Sequence, residues 1–338
     1  TWFWSRQSGF ESLLPNKNMG KYVKKIFAGS SNPALAKKIA DGCGTPLGDI
    51  KIEKFSDGEL WVKYEENLRG NDVFIIQSTN APADHIVELA LLIDAAKRAS
   101  AQRINVVMPY FGYSRQDRKD EPRVPISAKV MMDIFIKAGA DRIVTMDLHS
   151  TQIQGFSSKP VDNIYGSLVL MPELALHFKK ISSTDDLTVL IPDMGSSKLG
   201  QSYAKGLGMS FALIDKRRNA HNQSEVVSVV GELENQHVLI IDDMIDTAGT
   251  ISNAAQVAKD KGALTVTVAA THGILSANAI ERLSNDTIDH IFITDTIDMS
   301  HIKDCSKLKT ISSAKIFAET INRIHNGESV SQLFRKVT

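Results

Sequence analysis

Short apolar runs alternate with amphipathic stretches along almost the whole chain. The runs have the length and β-branched content of buried strands: KKIFAGS, INVVMPY, RIVTMDLH, LTVLIPD, FALID, HVLIID, LTVTVAATH and HIFITD. Between them, apolar residues recur at helical spacing, as Ile86, Leu89, Ile93 and Ala96 do. Strands that alternate with helices of this length predict an α/β fold with parallel sheets covered on both faces.

Some of the predicted helices carry end signals. In SAKVMMDIFIKAGA, Ser127 is predicted to be the N-cap and Gly139 to end the helix. Further helices are predicted at SKLGQSYAKGLG, TISNAAQVAKDKG, SANAIERLS and AKIFAETINRIHNG. In parallel sheets of this kind, ligands bind beyond the carboxyl ends of the strands, so candidate chemistry is sought there.

The alternation occurs twice, which predicts two domains. Both halves contain an apolar strand that ends in Asp and a polar loop, at 143–147 and at 238–242. A chain of 338 residues has room for two domains of ordinary size. The boundary is predicted near 160–170. Residues 1–20 show no regular pattern and are expected to form a poorly ordered N-terminal extension.

Composition narrows the class of protein. Apolar residues make up 43% and charged residues 23% of the chain, as in ordinary soluble proteins. The formal net charge is zero, which argues against a nucleic-acid partner. Cys43 and Cys305 lie far apart and predict neither a disulfide framework nor a zinc site. No apolar run approaches the roughly 20 residues that a membrane span needs.

The stretch VLIIDDMIDTAGT, 238–250, joins an apolar strand to acids and small residues. Asp242 and Asp243 are expected at the carboxyl end of the strand, before a tight loop over 246–250 that opens a helix. Backbone N–H groups at such a helix start suit a phosphate, and Thr247 and Thr250 add hydroxyl donors. The two carboxylates suit neutral hydroxyls or a magnesium ion. The predicted ligand is therefore a sugar phosphate.

The segment KFSDGEL lies between two predicted strands. Its Asp57-Gly58 pair is a strong signal for a hairpin turn, and from the residues alone a turn is the simpler interpretation. The alternative is a nucleotide contact. In that case Phe55 would stack on a base, while Asp57 and Glu59 would accept hydrogen bonds from an amine or a ribose hydroxyl.

A basic segment, PYFGYSRQDRKDEPRVPISAK, covers 109–129. Its glycine, serine and prolines keep it from being regular, and a flexible basic loop beside an active site can close over an anionic nucleotide. A solvated surface loop is the alternative. The cations of the segment are Arg115, Arg118, Lys119, Arg123 and Lys129.

Two further strand ends carry polar residues. Asp147 and His149 follow one strand, although a lone histidine at such a place is more simply a satisfied structural residue. Asp193 ends another strand, and Gly195 and Ser196 open a helix there. This arrangement predicts a second anion cradle, for a diphosphate.

Lys216, Arg217 and Arg218 follow the strand FALID, where three cations either attract phosphates or form a solvated basic turn. VLIIDDMIDTAGT resembles the sugar-phosphate motif of the phosphoribosyltransferase fold. Together with the other motifs, the sequence from Tyr22 to the C-terminus resembles class I ribose-phosphate diphosphokinases, also called PRPP synthetases. RQDRKD is a highly specific part of this resemblance.

The resemblance implies an α/β fold of two similar phosphoribosyltransferase-type domains, each a mainly parallel sheet flanked by helices. The N-terminal domain would span 21–166 and be joined by the C-terminal helix at about 324–338, and the C-terminal domain would span 167–323. The implied reaction transfers the diphosphoryl group of Mg-ATP to the C1 hydroxyl of ribose 5-phosphate. It yields 5-phosphoribosyl 1-diphosphate and AMP for nucleotide biosynthesis.

The resemblance also implies roles for individual residues. The implied catalytic residues are Lys216 and Arg218. The implied ATP contacts, partly from a neighbouring subunit, are Phe55, Asp57, Glu59, Arg115, Gln116, Asp120 and His149. The implied contacts of ribose 5-phosphate are Asp242, Asp243, Asp246, Thr247, Ala248, Gly249 and Thr250. The implied diphosphate loop is Asp193, Met194, Gly195 and Ser196, and the implied metal site is Asp147, His149, Asp162 and Asp193.

Two positions depart from the family pattern. Ser158 stands where some relatives have an acid or a histidine, which puts a second metal contact in doubt. Ser196 stands where relatives often have glycine, although its backbone N–H can still donate. No residue stands out as the base for the C1 hydroxyl.

The resemblance implies Mg²⁺, bound with ATP, as the cofactor and inorganic phosphate as an activator. The implied partners are ATP, ribose 5-phosphate and further copies of the chain in dimers and hexamers, with no nucleic acid and no membrane. A cytoplasmic location is expected, and the N-terminal extension leaves organellar targeting open. Two alternatives are a phosphoribosyltransferase, which would not need FSDGE and RQDRKD, and a catalytically silent regulatory paralogue, which would lack parts of these loops.

Overall fold

Two mainly parallel sheets and one hairpin organise the chain. The structure is a computed structural model and describes residues 22–182, 186–217, 226–302 and 305–336. The N-terminal extension predicted over 1–20 lies outside these residues. The prediction of an α/β fold, with mainly parallel sheets flanked by helices, is confirmed.

The first half of the chain builds a five-stranded parallel sheet and an antiparallel hairpin. Its strands are β1 (Lys24–Ala28), β2 (Ile50–Lys54), β3 (Leu60–Tyr64), β4 (Asp72–Ile76), β5 (Arg103–Met108), β6 (Arg142–Met146) and β7 (Val161–Ile164). The sheet has the order β1-β4-β5-β6-β7, and β2 pairs only with β3. Its helices are α1 (Pro33–Gly42), α2 (Asp84–Arg98) and α3 (Ser127–Ala138).

Helices α2 and α3 pack against the same face of the first sheet. Successive strands advance in one direction along the sheet, and right-handed crossovers then put consecutive helices on one side. Ile86, Leu89, Ile93 and Ala96 of α2 are all buried there, as their spacing predicted. Helix α1 lies on the opposite face.

The C-terminal end of α3 was predicted correctly, and its N-cap was not. Gly139 ends the helix with φ of +136°, a backbone geometry that glycine adopts without strain. Ser127 is not the N-cap, because the cap position is Ile126 and no side chain bonds there. The Ser127 hydroxyl donates to Oε1 of Gln116 instead.

The second half builds a seven-stranded sheet in which only β9 and β10 are antiparallel. Its strands are β8 (Leu187–Ile191), β9 (Ser210–Arg217), β10 (Val226–Val230), β11 (His237–Ile245), β12 (Thr265–Gly273), β13 (His290–Thr294) and β14 (Leu308–Ile311). The order is β10-β9-β8-β11-β12-β13-β14. Its helices are α4 (Ser167–Ile181), α5 (Ser197–Leu207), α6 (Gly249–Asp260) and α7 (Ala279–Leu283). Helices α4 and α5 cover one face, and α6 and α7 cover the other.

The last helix, α8 (Ala314–Asn326), returns to the first sheet and packs beside α1. Phe317 and Ile321 are fully buried in this contact. A 3-10 helix over Val330–Lys336 follows α8, and the assignment of about 324–338 to the N-terminal domain stays a prediction. The division into 21–166 and 167–323 stays a prediction.

The carboxyl ends of the two sheets face each other. Ser78, after β4, donates through Oγ to the carbonyl of Thr296, after β13, at 2.6 Å. His272 on β12 lies with Nε2 3.1 Å from the carbonyl oxygen of Met146 on β6. Among the described residues, no helix combines the length and the apolar character needed to cross a membrane.

Candidate active site

A cleft of about 1130 Å³ lies where the strand ends of the two sheets meet. The first half contributes residues of 115–120 and 147–152 to its lining. The second half contributes residues of 193–202 and 242–251, and Phe334 closes one side from the C-terminal 3-10 helix. The cleft thus occupies the place where parallel sheets bind ligands.

Strand β11 extends beyond its neighbour and exposes the two adjacent acids. Its last pair with β8 is Ile240 with Leu190, whereas its pairing with β12 continues as far as Ile245. Asp242 and Asp243 therefore lie within β11 and not at its end, which corrects the predicted strand boundary. Because β8 stops short, one side of this segment opens onto the cleft.

The two acids differ in charge because their surroundings differ. Burial, and then the charge of Asp243, raise the pKa of Asp242 to about 7, while Ser196 Oγ donates to its Oδ1 at 2.9 Å. Burial also acts to raise the pKa of Asp243, but the hydrogen bond and charge of His149, with Nδ1 2.7 Å from Oδ2, leave it lowered. The same contact raises the pKa of His149. Near neutral pH the negative charge therefore resides chiefly on Asp243.

The loop at 246–250 forms the start of α6. Ala248 has φ of +60°, α6 begins at Gly249, and no side chain caps its first turn. The first N–H groups of a helix lack intrahelical partners and lie at its positive end, which favours an anion. Asp246 accepts from Arg115 Nη1 at 2.7 Å and from the Ser276 hydroxyl.

A second loop also precedes a helix, at the start of α5. Its backbone N–H groups, however, already donate to a side chain of the same loop. Residues Met194–Ser196 form a 3-10 helix, and Asp193 Oδ1 accepts from the backbone N–H groups of Gly195 at 2.7 Å and of Ser196 at 3.3 Å. Any anion bound at these donors must displace the Asp193 carboxylate. The N–H groups of this loop are thus occupied by Asp193, and its role as a diphosphate cradle stays a prediction.

Asp147 lies at the end of β6 in a strained turn. Its φ is +34°, in the left-handed region that residues other than glycine seldom occupy. Burial raises its pKa to about 6, and hydrogen bonds from the Thr271 hydroxyl and the Gly166 N–H act in the opposite direction. Its carboxylate therefore contacts β12 and the start of α4 as well as bordering the cleft.

Two of the predicted site residues point elsewhere. Asp162 Oδ2 accepts from Arg142 Nη1, and Arg142 stands at the amino end of β6, opposite to the end where the cleft lies. Gln116 does not line the cleft, and its Oε1 accepts from Ser127 at the start of α3. The geometry supports neither a metal role for Asp162 nor an ATP contact by Gln116 in this conformation.

The segment KFSDGEL is a hairpin turn between β2 and β3, with Gly58 at φ of +93°. Phe55, Asp57 and Glu59 do not line the cleft of their own chain. Phe55 is 56% exposed. All three residues are exposed to solvent.

Some of the remaining predicted residues line the cleft and others do not. Arg115 and Asp120 line the cleft, as do His149 and every residue of 246–250. Lys216 lies on β9, but the structure describes only its backbone, and Arg218 lies outside the described residues. Ser158 does not border the cleft.

Several residues that the sequence analysis did not single out shape the site. Thr271 and His272 at the end of β12 contact Asp147, and Ser276 holds Asp246. Thr271 and His272 are the last two residues of LTVTVAATH and Ser276 follows it, so the rule that ligands lie at strand ends could have drawn attention to them. Phe334 had no such signal, because it reaches the cleft only through the return of the C-terminal segment.

Within the described parts of the chain, no group of three His, Cys, Asp or Glu side chains is arranged to hold a metal ion. His149, Asp193 and Asp243 border the cleft and offer imidazole and carboxylate donors.

Comparison with known proteins agrees with this geometry. A sequence profile for the N-terminal domain of ribose phosphate pyrophosphokinase matches residues 24–139, and one for the phosphoribosyl synthetase-associated domain matches 218–335. The ribose-phosphate pyrophosphokinase of Chlorobaculum tepidum is 52% identical over 310 residues, which are 92% of this chain and 94% of that protein. The chain belongs to the ribose-phosphate pyrophosphokinase family.

Other members of the family support the assignment over the whole fold. The ribose-phosphate pyrophosphokinase of Clostridium tetani is 48% identical, with 92% of this chain and 97% of that protein covered. The crystal structure of phosphoribosylpyrophosphate synthetase from Mycobacterium smegmatis superposes with a TM-score of 0.84 at 36% identity, and the match covers 90% of this chain and 99% of that one. The chain is thus an enzyme of the pyrophosphokinase family, which forms 5-phosphoribosyl 1-diphosphate and AMP from ribose 5-phosphate and ATP.

Proposed function

We propose that the cleft carries out the family's reaction with the sugar phosphate on the β11 side and the nucleotide on the side of the first sheet. The observation that carries this proposal is that side chains from the two walls of the cleft, one in each half of the chain, are in contact. His149 Nδ1 lies 2.7 Å from Asp243 Oδ2, and Arg115 Nη1 lies 2.7 Å from Asp246 Oδ2. Two substrates bound on opposite walls would therefore meet at contact distance.

Ribose 5-phosphate binds along β11 and the start of α6. The uncapped N–H groups of Gly249 and Thr250, with the hydroxyls of Thr247 and Thr250, hold the 5-phosphate. Asp242 and Asp243 accept hydrogen bonds from the ribose hydroxyls. This places the C1 hydroxyl toward the first sheet.

ATP binds against 115–120 and 147–152, where Arg115 and Arg118 supply positive charge. The C1 hydroxyl oxygen attacks the β-phosphorus of ATP, the bond between the β-phosphorus and the α–β bridging oxygen breaks, AMP leaves, and the hydroxyl proton is released. Such transfers depend on alignment and on charge neutralisation more than on covalent chemistry. Lys216 and Arg218 are the further cations proposed for the transferring group.

His149, Asp193 and Asp243 border the cleft and would hold Mg²⁺, which would neutralise phosphate charge when it is bound with ATP. Asp162 has no part in this proposal. Inorganic phosphate is proposed as an activator. A comparison of rates with and without added phosphate, at fixed Mg²⁺ and ATP, tests that part alone.

The hairpin turn serves a second copy of the chain. Phe55 is exposed and lies outside its own cleft, so we assign Phe55, Asp57 and Glu59 to the nucleotide site of a neighbouring subunit in a dimer or hexamer. Mixing two inactive variants, Phe55→Ala and Asp243→Asn, after dissociation should restore part of the activity, because some mixed sites contain no altered residue. No recovery in a mixed oligomer would show that the hairpin does not act across subunits.

The decisive assay is AMP formation from ATP that requires ribose 5-phosphate. Asp243→Asn should lower kcat/KM for ribose 5-phosphate by roughly 10²–10³-fold, the usual cost of one main electrostatic group. Asp260→Asn, on the exposed last turn of α6, is the matched control and should retain the wild-type rate. AMP formation that does not depend on ribose 5-phosphate, or equal rates in both variants, would contradict the proposal. A silent paralogue would form no AMP.

A further inference from the structure

Two consecutive residues of β12, in the second sheet, form hydrogen bonds to the end of β6, in the first sheet. The hydroxyl of Thr271, on β12, donates to Asp147 Oδ2. Nε2 of His272, the next residue, lies 3.1 Å from the carbonyl oxygen of Met146 and 3.3 Å from that of Asp147. Neither Thr271 nor His272 lines the cleft.

The surroundings of His272 determine its tautomer. Both neighbours of Nε2 are carbonyl oxygens, which only accept, so Nε2 carries the hydrogen. Nδ1 lies 2.9 Å from Thr296 Oγ1 and accepts from that hydroxyl. His272 is 1% exposed, and its ring packs edge-on against Tyr110 at 5.0 Å. His272 is thus a fixed donor to the backbone at the end of β6.

The backbone that these donors hold is strained and leads directly to the site. Asp147 has φ of +34°, and a non-glycine residue stays in that region only where neighbouring contacts determine it. Two residues further on, His149 contacts Asp243 across the cleft at 2.7 Å. The His149 side chain is 42% exposed, so its own packing does not fix its position.

We propose that Thr271 and His272 are positioning residues, which hold the turn at Asp147 so that His149 meets Asp243. The proposal rests on the proposed function, because it gives His149 a place in the nucleotide site. Thr271 fixes the side chain of Asp147, and His272 fixes its backbone. Neither residue touches substrate.

Two substitutions of His272 distinguish the role of its Nε2 hydrogen-bond donor from that of its side-chain volume. The amide nitrogen of glutamine reaches about as far from Cα as Nε2 does, whereas that of asparagine reaches only as far as Nδ1. His272→Gln should therefore keep most of the wild-type kcat. His272→Asn should lower kcat by about 100-fold, the effect of displacing a catalytic group by about 1 Å. Equal losses in the two variants would overturn the proposal.

A milder pair keeps the test valid if His272→Asn does not fold. Thr271→Val preserves the shape and removes the hydroxyl, whereas Thr271→Ser preserves the hydroxyl. The valine variant should lose kcat, and the serine variant should retain it. Equal rates in this pair would exclude the Thr271 part of the proposal.

A double-mutant cycle distinguishes positioning from general support of the fold. If His272 acts through His149, His272→Asn should change kcat by less than about twofold in a His149→Ala background. The same 100-fold loss in both backgrounds would overturn the proposal. A wild-type rate for His149→Ala would also overturn it, but would leave the proposed function standing if AMP formation still required ribose 5-phosphate.

Crystal structures of the ligand-free His272 variants give a readout independent of activity. The distance from His149 Nδ1 to Asp243 Oδ2 should stay near 2.7 Å in the glutamine variant. In the asparagine variant it should increase by about 1 Å or more. An unchanged distance in the asparagine variant would refute the proposal even if the chain formed no AMP at all.

Discussion

Replacing Gly166 with alanine inserts one methyl group between the two sheets at the edge of the cleft. Gly166 has φ of −61° and ψ of −23°, so the backbone accepts any residue there, and only the new Cβ matters. That Cβ would lie 2.2 Å from Thr271 Oγ1 and 2.5 Å from Asp147 Oδ2. Both distances are shorter than any contact that a real Cβ makes.

The displacement follows from these distances. Ordinary contact begins at 3.4 Å, so Thr271 Oγ1 must move by 1.2 Å (3.4 − 2.2) and Asp147 Oδ2 by 0.9 Å (3.4 − 2.5). A shift of about 1 Å in a group that positions the site lowers kcat by about 100-fold. The same crowding lowers the free energy of unfolding by about 1–3 kcal/mol, which leaves a typical protein folded.

The assay is AMP formation with saturating ATP and ribose 5-phosphate, together with circular dichroism and a melting curve. Gly155→Ala is the matched control, because a Cβ at that position would meet nothing within 4 Å. It should retain the wild-type kcat. If Gly166→Ala kept kcat within about threefold of wild type, the argument that Asp147 and Thr271 must keep their places would be refuted.

Three further predictions concern charge. Burial and the charge of Asp243 raise the pKa of Asp242 to about 7. Because the protonated carboxyl loses an acceptor for the sugar, kcat/KM for ribose 5-phosphate should fall about tenfold per pH unit below 7. Asp242→Asn should abolish that slope in a pH–rate profile. Burial and the neighbouring His290 lower the pKa of His177 to about 4, below its ordinary value of 6.5. As the pH decreases, His177 therefore binds its proton in the unfolded chain before it does in the folded protein, so the free energy of unfolding should fall between pH 6.5 and 4. The urea midpoint of the His177→Gln variant should lose this pH dependence. Lys216→Ala should lower turnover by roughly 10²–10³-fold with an unchanged melting temperature, and near-normal AMP release would contradict its catalytic role.

Most helices and central strands could be predicted from the sequence, because their signals are local. The spacing of Ile86, Leu89, Ile93 and Ala96 specifies one buried helix face whatever the rest of the chain does. Among the edge strands, β1 carries the apolar run KKIFAGS and was predicted, whereas β14 was not. Strand β14 has four residues, none of them fully buried, so it presents no apolar run, and only its pairing with β13 makes it a strand.

The motifs of the site could be located in the same way, but their arrangement could not. Periodicity reports on neighbours in sequence, whereas the contacts that assemble the cleft join distant segments, such as Arg115 with Asp246, 131 residues apart. Asp162 illustrates the consequence. The family resemblance implied a metal site for it, yet β7 pairs it with Val144 of β6, and its side chain accepts from Arg142 at the amino end of that strand, outside the cleft.

The sequence by itself determined the alternation of strands and helices, the sugar-phosphate loop and the family, because each depends on residue types at short spacing. Only the tertiary structure decided which strand ends meet and which acid carries the charge. It also showed that Thr271 and His272, far along the chain from Asp147, hold the turn that carries His149. The physical reason is that orientation, burial and pKa depend on what packs against a residue, and distant segments supply those neighbours.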